Sequence, residues 1–311
     1  MPLHRKALPQ LRGELFLTDG GIETDLIFHD GADLPLFAAF DLLKTPEGTA
    51  MLRRYFERYL AIAARHGRGF ILESPTWRAN PDWARQLGYD NAALAGALRE
   101  SIALMESLRN GVIMAKPVVI SGCIGPRGDG YVPGEAMTIR EAEDYHSFQA
   151  RIFAGTEADM ITAITMTNVA EATGVSRAAA AAGMPVAISF TVETDGRLPT
   201  GQDVGEAIME VDFESSVPPA YYMINCAHPS HFTPILEPDA PWLSRLKGLR
   251  VNASKCSHAE LNEAPELDDG NPCELGLESA TLRRLYPSIT VLGGCCGTDS
   301  RHIEEMARAA A

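Results

Sequence analysis

Cys295 and Cys296 stand side by side in Leu292-Gly293-Gly294-Cys295-Cys296-Gly297-Thr298. Neighbouring Cα atoms lie about 3.8 Å apart across a trans peptide, short of the roughly 4.4–6.8 Å that disulfides span, so these two thiols are poorly placed to bond each other. Glycines on both sides free the loop to turn both sulfurs the same way, which suits a grip on one soft metal ion. A third thiol is then needed. Cys226, in Tyr222-Met223-Ile224-Asn225-Cys226, follows a short apolar run as the pair does. Three thiolates with one open position describe a catalytic zinc site, whereas four protein ligands normally close a structural one. The spacing matches neither a zinc finger nor a zinc ribbon. From spacing alone, three buried free cysteines remain the alternative.

Charge selects the chemistry. Zinc(II) with three thiolates carries one net negative charge, so a water in the fourth position is acidified less than on sites with neutral ligands, and hydrolysis is disfavoured. A substrate thiol bound there would lose its proton and stay an electron-rich nucleophile at neutral pH. The site points to alkyl transfer onto sulfur.

Elements that could bring residue 226 to residues 295 and 296 are visible in the hydropathy pattern. Short apolar runs near 15–18, 70–73, 118–121, 160–165, 186–190, 221–225, 249–252 and 289–292 read as strands. Helix-compatible segments at 46–65, 91–108, 139–154, 170–182, 202–211 and 301–310 alternate with them. That order predicts an α/β fold, a (β/α)8 TIM-type barrel, as a single domain over residues 1–311. A doubly wound nucleotide fold fits less well, because no Gly-x-Gly-x-x-Gly turn follows the first strand. In a barrel, catalytic groups collect at the C-terminal strand ends, so Cys226 after the sixth strand and Cys295-Cys296 after the eighth would share one mouth. Asp19, Ser74, Cys123 and Thr165 sit at the same ends of earlier strands.

Composition narrows the partners. The chain has 311 residues, 46% of them apolar, enough for a large core. Its net charge of −14 argues against nucleic acid, which needs clustered Lys and Arg to neutralise phosphates. No run approaches the ~20 apolar residues of a membrane span, and proline and charge interrupt the N-terminal segment before a secretory core develops. Six cysteines are too sparse for a disulfide scaffold, and a reducing compartment would keep them as thiols. A cytoplasmic protein acting on a small-molecule substrate is expected; the sequence sets no oligomeric state.

These residues resemble the zinc-dependent homocysteine S-methyltransferase family, with its early Asp-Gly-Gly, a later Asn-Cys and a terminal Gly-Gly-Cys-Cys-Gly-Thr. Here they are Asp19-Gly20-Gly21, Asn225-Cys226 and Gly293-Gly294-Cys295-Cys296-Gly297-Thr298, with Ile124-Gly125-Pro126 as a weaker match. The resemblance spans nearly the whole chain. It implies a (β/α)8 barrel, Zn2+ held by Cys226, Cys295 and Cys296, and methyl transfer from a sulfonium, ammonium or folate-type donor to homocysteine. It places Asp19 near the acceptor's amine, where a turn-capping carboxylate is the plainer reading, and Asn225 among the substrate-binding residues.

Three departures stand out. Where the family has a Glu after the fourth strand to hold the amino group, this chain has Ile164, followed by Thr165-Met166-Thr167. An apolar residue cannot pair with an ammonium ion, so another carboxylate replaces it or the acceptor is a thiol or selenol without the amino-acid head. Glu23, in a position often glycine, is one replacement; a Glu at an exposed helix start is the other reading. Second, Ser74-Pro75-Thr76-Trp77-Arg78-Ala79 replaces a Thr-Asn-Thr-Tyr-Gln-Ala pattern, and Trp77 could stack on a cationic donor or simply pack in the core. Third, the segment after strand seven carries Cys256 and His258, and neither they nor His228 and His231 are needed as ligands. Cys123 and Cys273 are expected to stay unliganded. A barrel that binds zinc or thiols without catalysis is the rival from another class.

Overall fold

A computed structural model describes residues 1–310 apart from Val132, Pro133, Glu135 and Pro265, and leaves the side chain of Asn262 undescribed. Eight parallel strands run β1 (Phe16–Leu17), β2 (Gly69–Glu73), β3 (Val118–Ile124), β4 (Met160–Met166), β5 (Val186–Thr191), β6 (Tyr221–Asn225), β7 (Leu246–Val251) and β8 (Val291–Gly294). They close in sequence order, with Phe16 of β1 paired to Gly69 of β2 on one side and to Val291 of β8 on the other. The expected (β/α)8 barrel is the observed one, and each expected run overlaps one strand.

Strands of a parallel barrel are covered on both faces, by helices outside and by each other's side chains inside, so they read as continuous apolar runs without alternation. All but β7 are buried at every position. The inside is a small separate core in which Leu8 of the N-terminal segment meets Phe16, Ile71, Val119, Met160, Ala187, Tyr221, Met223 and Val291. Gly69 makes room for it: a Cβ there would lie 2.4 Å from the Phe16 ring. Gln10 reaches in beside Leu8, and its Nε2 donates to the Tyr221 hydroxyl at 3.3 Å.

Outside lie α1 (Pro46–Arg65), α2 (Asn91–Gly111), α3 (Ile139–Ala154), α4 (Val169–Ala181), α5 (Val204–Glu214), α6 (Pro272–Leu285) and α7 (Ser300–Ala309), besides shorter turns. Each starts on a side chain that accepts from an otherwise orphaned first-turn amide: Thr45, Asp90, Thr138, Asn168, Asp203, Asn271 and Asp299. Such a cap contributes about 1 kcal/mol. Helix α6 was absent from the sequence reading, since Pro272, Cys273 and Gly276 dilute its helical signal. The Asn271-Pro272 start was nonetheless legible, and Gly276 is required where α6 packs on the backbone of Glu305. The β6–β7 connection holds only the short helix Pro229–Phe232 and two 3-10 turns. Among the described residues, no helix is long and apolar enough to cross a membrane.

Candidate active site at the barrel mouth

Cys226 directly follows β6, and Cys295-Cys296 directly follow β8. Only β7 separates those two strands, and it ties them together: Cys226 N donates to Arg250 O at 3.0 Å and Cys295 N to Val251 O at 2.8 Å. Gly294 is needed for the β8 turn, because a Cβ there would lie 2.0 Å from the Thr298 hydroxyl. The three sulfurs consequently lie within 4.8 Å of one another, the one cluster of potential metal ligands of this kind among the described residues. A tetrahedral ion with Zn–S bonds of about 2.3 Å holds its sulfurs about 3.8 Å apart, so the donor set fits a soft metal ion.

One expectation needs correction. The sequence reading required three free thiols, but here Cys226 and Cys295 form a disulfide, leaving Cys296 free. Their Cα atoms are 5.3 Å apart, inside the range from which adjacent Cys295 and Cys296 are excluded. The disulfide is the oxidised form of the cluster; reduced, the same sulfurs make up the triad.

The cluster opens into a cavity with about 670 Å³ of empty space, counting its open mouth. Three carboxylates, Asp19, Glu23 and Glu73, and one guanidinium, Arg250, line it. Arg250 is fully engaged. Its Nη1 pairs with Glu73 Oε2, Nη2 with Asp19 Oδ1 at 2.8 Å, and Nε donates to the Gly294 carbonyl at 3.1 Å. Burial works against the charged guanidinium, but Asp19 and Glu73 outweigh it and hold its pKa above the ordinary value. Burial pushes the Glu73 carboxyl up, against the pull of Arg250. The second oxygen of Asp19 accepts from the Tyr55 hydroxyl at 2.8 Å.

Glu23 differs. It lies in the short helix Ile22–Thr24, half-buried and facing the cavity, and among the described residues no other side chain hydrogen-bonds or ion-pairs with it. Burial pushes its carboxyl up to about 7, with Asp19 adding to the rise while its own backbone amide, Arg78 and Arg250 pull downward. The structure thus places Glu23 at the cavity wall rather than at an exposed helix start.

Ile164 lines the same cavity and contributes no charge. The nearest acidic residue in that segment, Glu171, accepts from Arg127 N at 2.7 Å and interacts with His146 Nε2 at 2.9 Å, so it serves the loop packing. Thr165 has a left-handed backbone (φ 65°), as does Cys226 (φ 53°), conformations that cost a non-glycine residue energy and persist only where neighbours enforce them. At Thr165 the enforcer is Asn225. It is fully buried, accepts from Thr165 N at 3.0 Å and from the Ser189 hydroxyl at 2.6 Å, and donates to Thr165 Oγ1. It does not line the cavity, so its place is behind the cavity-lining residues with which it was grouped.

Trp77 lines the cavity, but the Arg78 guanidinium sits 4.1 Å over its ring and 4.1 Å over that of Trp83, so a resident cation already covers one face. Cys123 also lines the cavity, at the end of β3, with burial raising its thiol well above the usual range; Cys256 and Cys273 are exposed. His258 Nε2 interacts with the Cys226 carbonyl at 2.5 Å, and His231 Nε2 with the Lys255 carbonyl at 2.9 Å. Sequence reasoning missed Arg250 and Glu73, each a charge in a buried apolar run and therefore in need of a partner. It also missed Tyr131, whose loop reads only as a turn.

Comparison with known proteins agrees with this geometry. The chain is 24% identical to a selenocysteine Se-methyltransferase of Brassica oleracea var. italica, over 94% of this chain and 88% of that protein. It is 23% identical to homocysteine S-methyltransferase 2 of Arabidopsis thaliana, over 51% of this chain and 53% of that protein. Among solved structures, the homocysteine methyltransferase MmuM of Escherichia coli in its oxidized form superposes with a TM-score of 0.74 at 18% identity, covering 98% of this chain and 99% of that one. Its metallated form gives 0.70 at 18% identity, covering 97% and 98%. A family profile described as homocysteine S-methyltransferase matches residues 16–310. With that match over nearly its whole length, the chain belongs to the homocysteine S-methyltransferase family and is an S-methyltransferase.

Proposed function

We propose that this enzyme transfers a methyl group from a sulfonium- or ammonium-type donor to homocysteine, yielding methionine, at a zinc site made by Cys226, Cys295 and Cys296. The convergence of three cysteine sulfurs on the cavity that Glu23 faces is the observation that carries the reading. Zinc bound to these residues would hold the acceptor as a thiolate at neutral pH.

The remaining chemistry is positioning. The acceptor S–H loses its proton, a new S–CH3 bond forms, the donor's C–S or C–N bond breaks, and the donor leaves as a neutral thioether or amine. Three carboxylates against one guanidinium give the cavity a negative lining, which favours both a cationic donor and the acceptor's ammonium group. Asp19 has each oxygen engaged, by Arg250 and by Tyr55, whereas Glu23 has no side-chain partner among the described residues. Glu23 therefore takes the ammonium in place of the carboxylate missing at Ile164, and Asp19 supports it through the Arg250 network. Asn225 holds the strained backbone at Thr165 beside the cluster, and Trp77 offers the donor its uncovered face. A reducing compartment such as the cytoplasm suits a site whose ligands must be thiols.

Ile164 favours one further reading, in which the acceptor is a thiol or selenol without the amino-acid head. A screen with the reduced, zinc-loaded protein decides between them, crossing homocysteine, selenocysteine and a simple alkyl thiol with S-methylmethionine, S-adenosylmethionine and a betaine, with products read by mass spectrometry. Methionine as the fastest product supports the proposal; faster turnover of the simple thiol moves the assignment, and no methylated product from any pairing overturns it.

A further inference from the structure

His146 of α3 is fully buried, as is Gln149 on the same helix, and neither lines the cavity. Gly174 lets α4 press directly on α3, since a Cβ there would lie 2.4 Å from that of Ala142, and Glu171 at the start of α4 thereby reaches His146. Hydrogen-bonding roles then constrain the ring. Gln149 Nε2 donates to the Ala79 carbonyl at 3.1 Å, which turns its Oε1 toward His146 Nδ1 at 3.3 Å, and an amide oxygen only accepts. Glu171 Oε1 accepts from Arg127 N at 2.7 Å and lies 2.9 Å from His146 Nε2, and a carboxylate too only accepts. Both ring nitrogens are therefore set to donate. The other ionisable groups beside this pair are Tyr145, whose ring meets the imidazole edge-on with centroids 5.0 Å apart, and Arg127, whose guanidinium lies 4.8 Å from that tyrosine ring and pairs with Asp82.

The two partners of the ring hold the two segments that enclose Trp77. Gln149 holds Ala79, two residues beyond it in the same loop. Glu171 holds Arg127, two residues beyond Gly125, where a Cβ would lie 2.6 Å from the Trp77 ring. Asn80 joins the segments, its Nδ2 donating to the Pro126 carbonyl at 3.0 Å. We propose that His146 is a positioning residue: as an imidazolium neutralised by Glu171, it couples these two holds and so fixes the face that Trp77 turns to the cavity, without touching a substrate. The inference rests on the proposed reaction only in assigning that face to the methyl donor.

The test joins NMR to kinetics. In nitrogen spectra of the reduced wild type at neutral pH, the imidazole signals that vanish in His146→Gln should be those of a ring protonated on both nitrogens. His146→Gln keeps one donor for Glu171 and leaves Gln149 Oε1 unmet, whereas Gln149→Ala frees the Ala79 carbonyl and keeps the ion pair. In both, the methyl donor's KM should rise up to about tenfold, the worth of one hydrogen bond, with homocysteine KM near wild type. The Trp77 indole N–H signal, assigned by its loss in Trp77→Phe, should shift in both variants while that of Trp242, which packs on Gly205, stays in place. A wild-type ring carrying a single proton, or a Trp77 signal that neither variant moves, overturns the proposal. So does an equal rise in both KM values, which would make these contacts merely structural. If the wild type methylates nothing, the reaction fails separately and the NMR signals still decide the positioning.

Discussion

Substituting Glu23 with Gln is the sharpest test of how the acceptor is read. The change keeps the shape of the side chain and removes its charge, and among the described residues no other side chain depends on that carboxylate for a partner. An ammonium–carboxylate hydrogen bond contributes about 1.5–3 kcal/mol, so losing it should weaken homocysteine binding roughly ten- to a hundredfold. The assay is kcat/KM for homocysteine and for an alkyl thiol of equal length without the amino-acid head, at fixed saturating donor. Homocysteine should lose its advantage in Glu23→Gln while the alkyl thiol is unaffected. pH adds a second reading of the same bond. With the carboxyl pushed up to about 7, Glu23 is neutral below that pH and charged above it, so homocysteine KM should fall as pH rises through about 7 in the wild type. Relative to the alkyl thiol, which controls for ionisation of the acceptor sulfur, that dependence should be flat in Glu23→Gln. Equal losses for both acceptors, or no loss for either, would refute the assignment of the ammonium to Glu23.

Replacing Cys226, Cys295 or Cys296 singly with Ala should reduce bound zinc from about one per chain to near none and abolish transfer, with the melting temperature little changed, since the mouth of the barrel carries function rather than stability; metal analysis beside a thermal melt checks this. Arg250→Met leaves Asp19 and Glu73 buried without their cation and should destabilise the fold by about 3–5 kcal/mol, a drop on the order of 10 °C in melting temperature. Asn225→Ala removes the hydrogen bonds that hold Thr165 and should cost about 1–3 kcal/mol by denaturant titration, with kcat falling because Cys226 loses its neighbour's support. Glu23→Gln should also be more stable than wild type above pH 7 and equal to it below 4.5. The raised carboxyl contributes stability that is complete below its unfolded pKa and lost as pH rises through about 7, a difference of at most about 3 kcal/mol by pH-dependent unfolding.

The barrel was legible because burial on both faces writes each strand as an uninterrupted apolar run, from Leu15 to Leu292, and because capping residues such as Thr138 with Glu141 mark the helix starts. The sulfur triad was legible for a different reason: two adjacent thiols cannot serve each other, so the chemistry itself asks for a third. The wiring between the side chains was not. Arg250 reaches Asp19 across 231 positions of sequence, and only barrel closure, which sets β1 beside β8 and β8 beside β7, decides that they meet. The signal was half present, since a charge inside Leu249-Arg250-Val251 or at the end of Phe70-Ile71-Leu72-Glu73 must find a partner, but local pattern cannot say which one.

On the proposed reading, Ile164 at the end of β4 and Glu23 after β1 amount to one change carried by two strands. Every strand of a closed barrel delivers its C-terminal end to the same mouth, so a carboxylate removed from β4 can be replaced from the β1 loop without moving the reacting sulfur. Charge decides whether the replacement works. Asp19 and Glu73 alone would confront each other in a buried site, and Arg250 neutralises one and screens the other. Glu23 then stands beyond the reach of a full ion pair, raised by burial and by Asp19, and is costly to ionise until a cation arrives. An acceptor ammonium removes that cost, whereas a head-less thiol leaves it in place. On the same reading, a preference for an amino-acid acceptor would arise as much from relief of a strained carboxylate as from the new hydrogen bond. Homocysteine should therefore raise the melting temperature of the wild type at pH 8 by more than it raises that of Glu23→Gln, and the alkyl thiol should raise both equally.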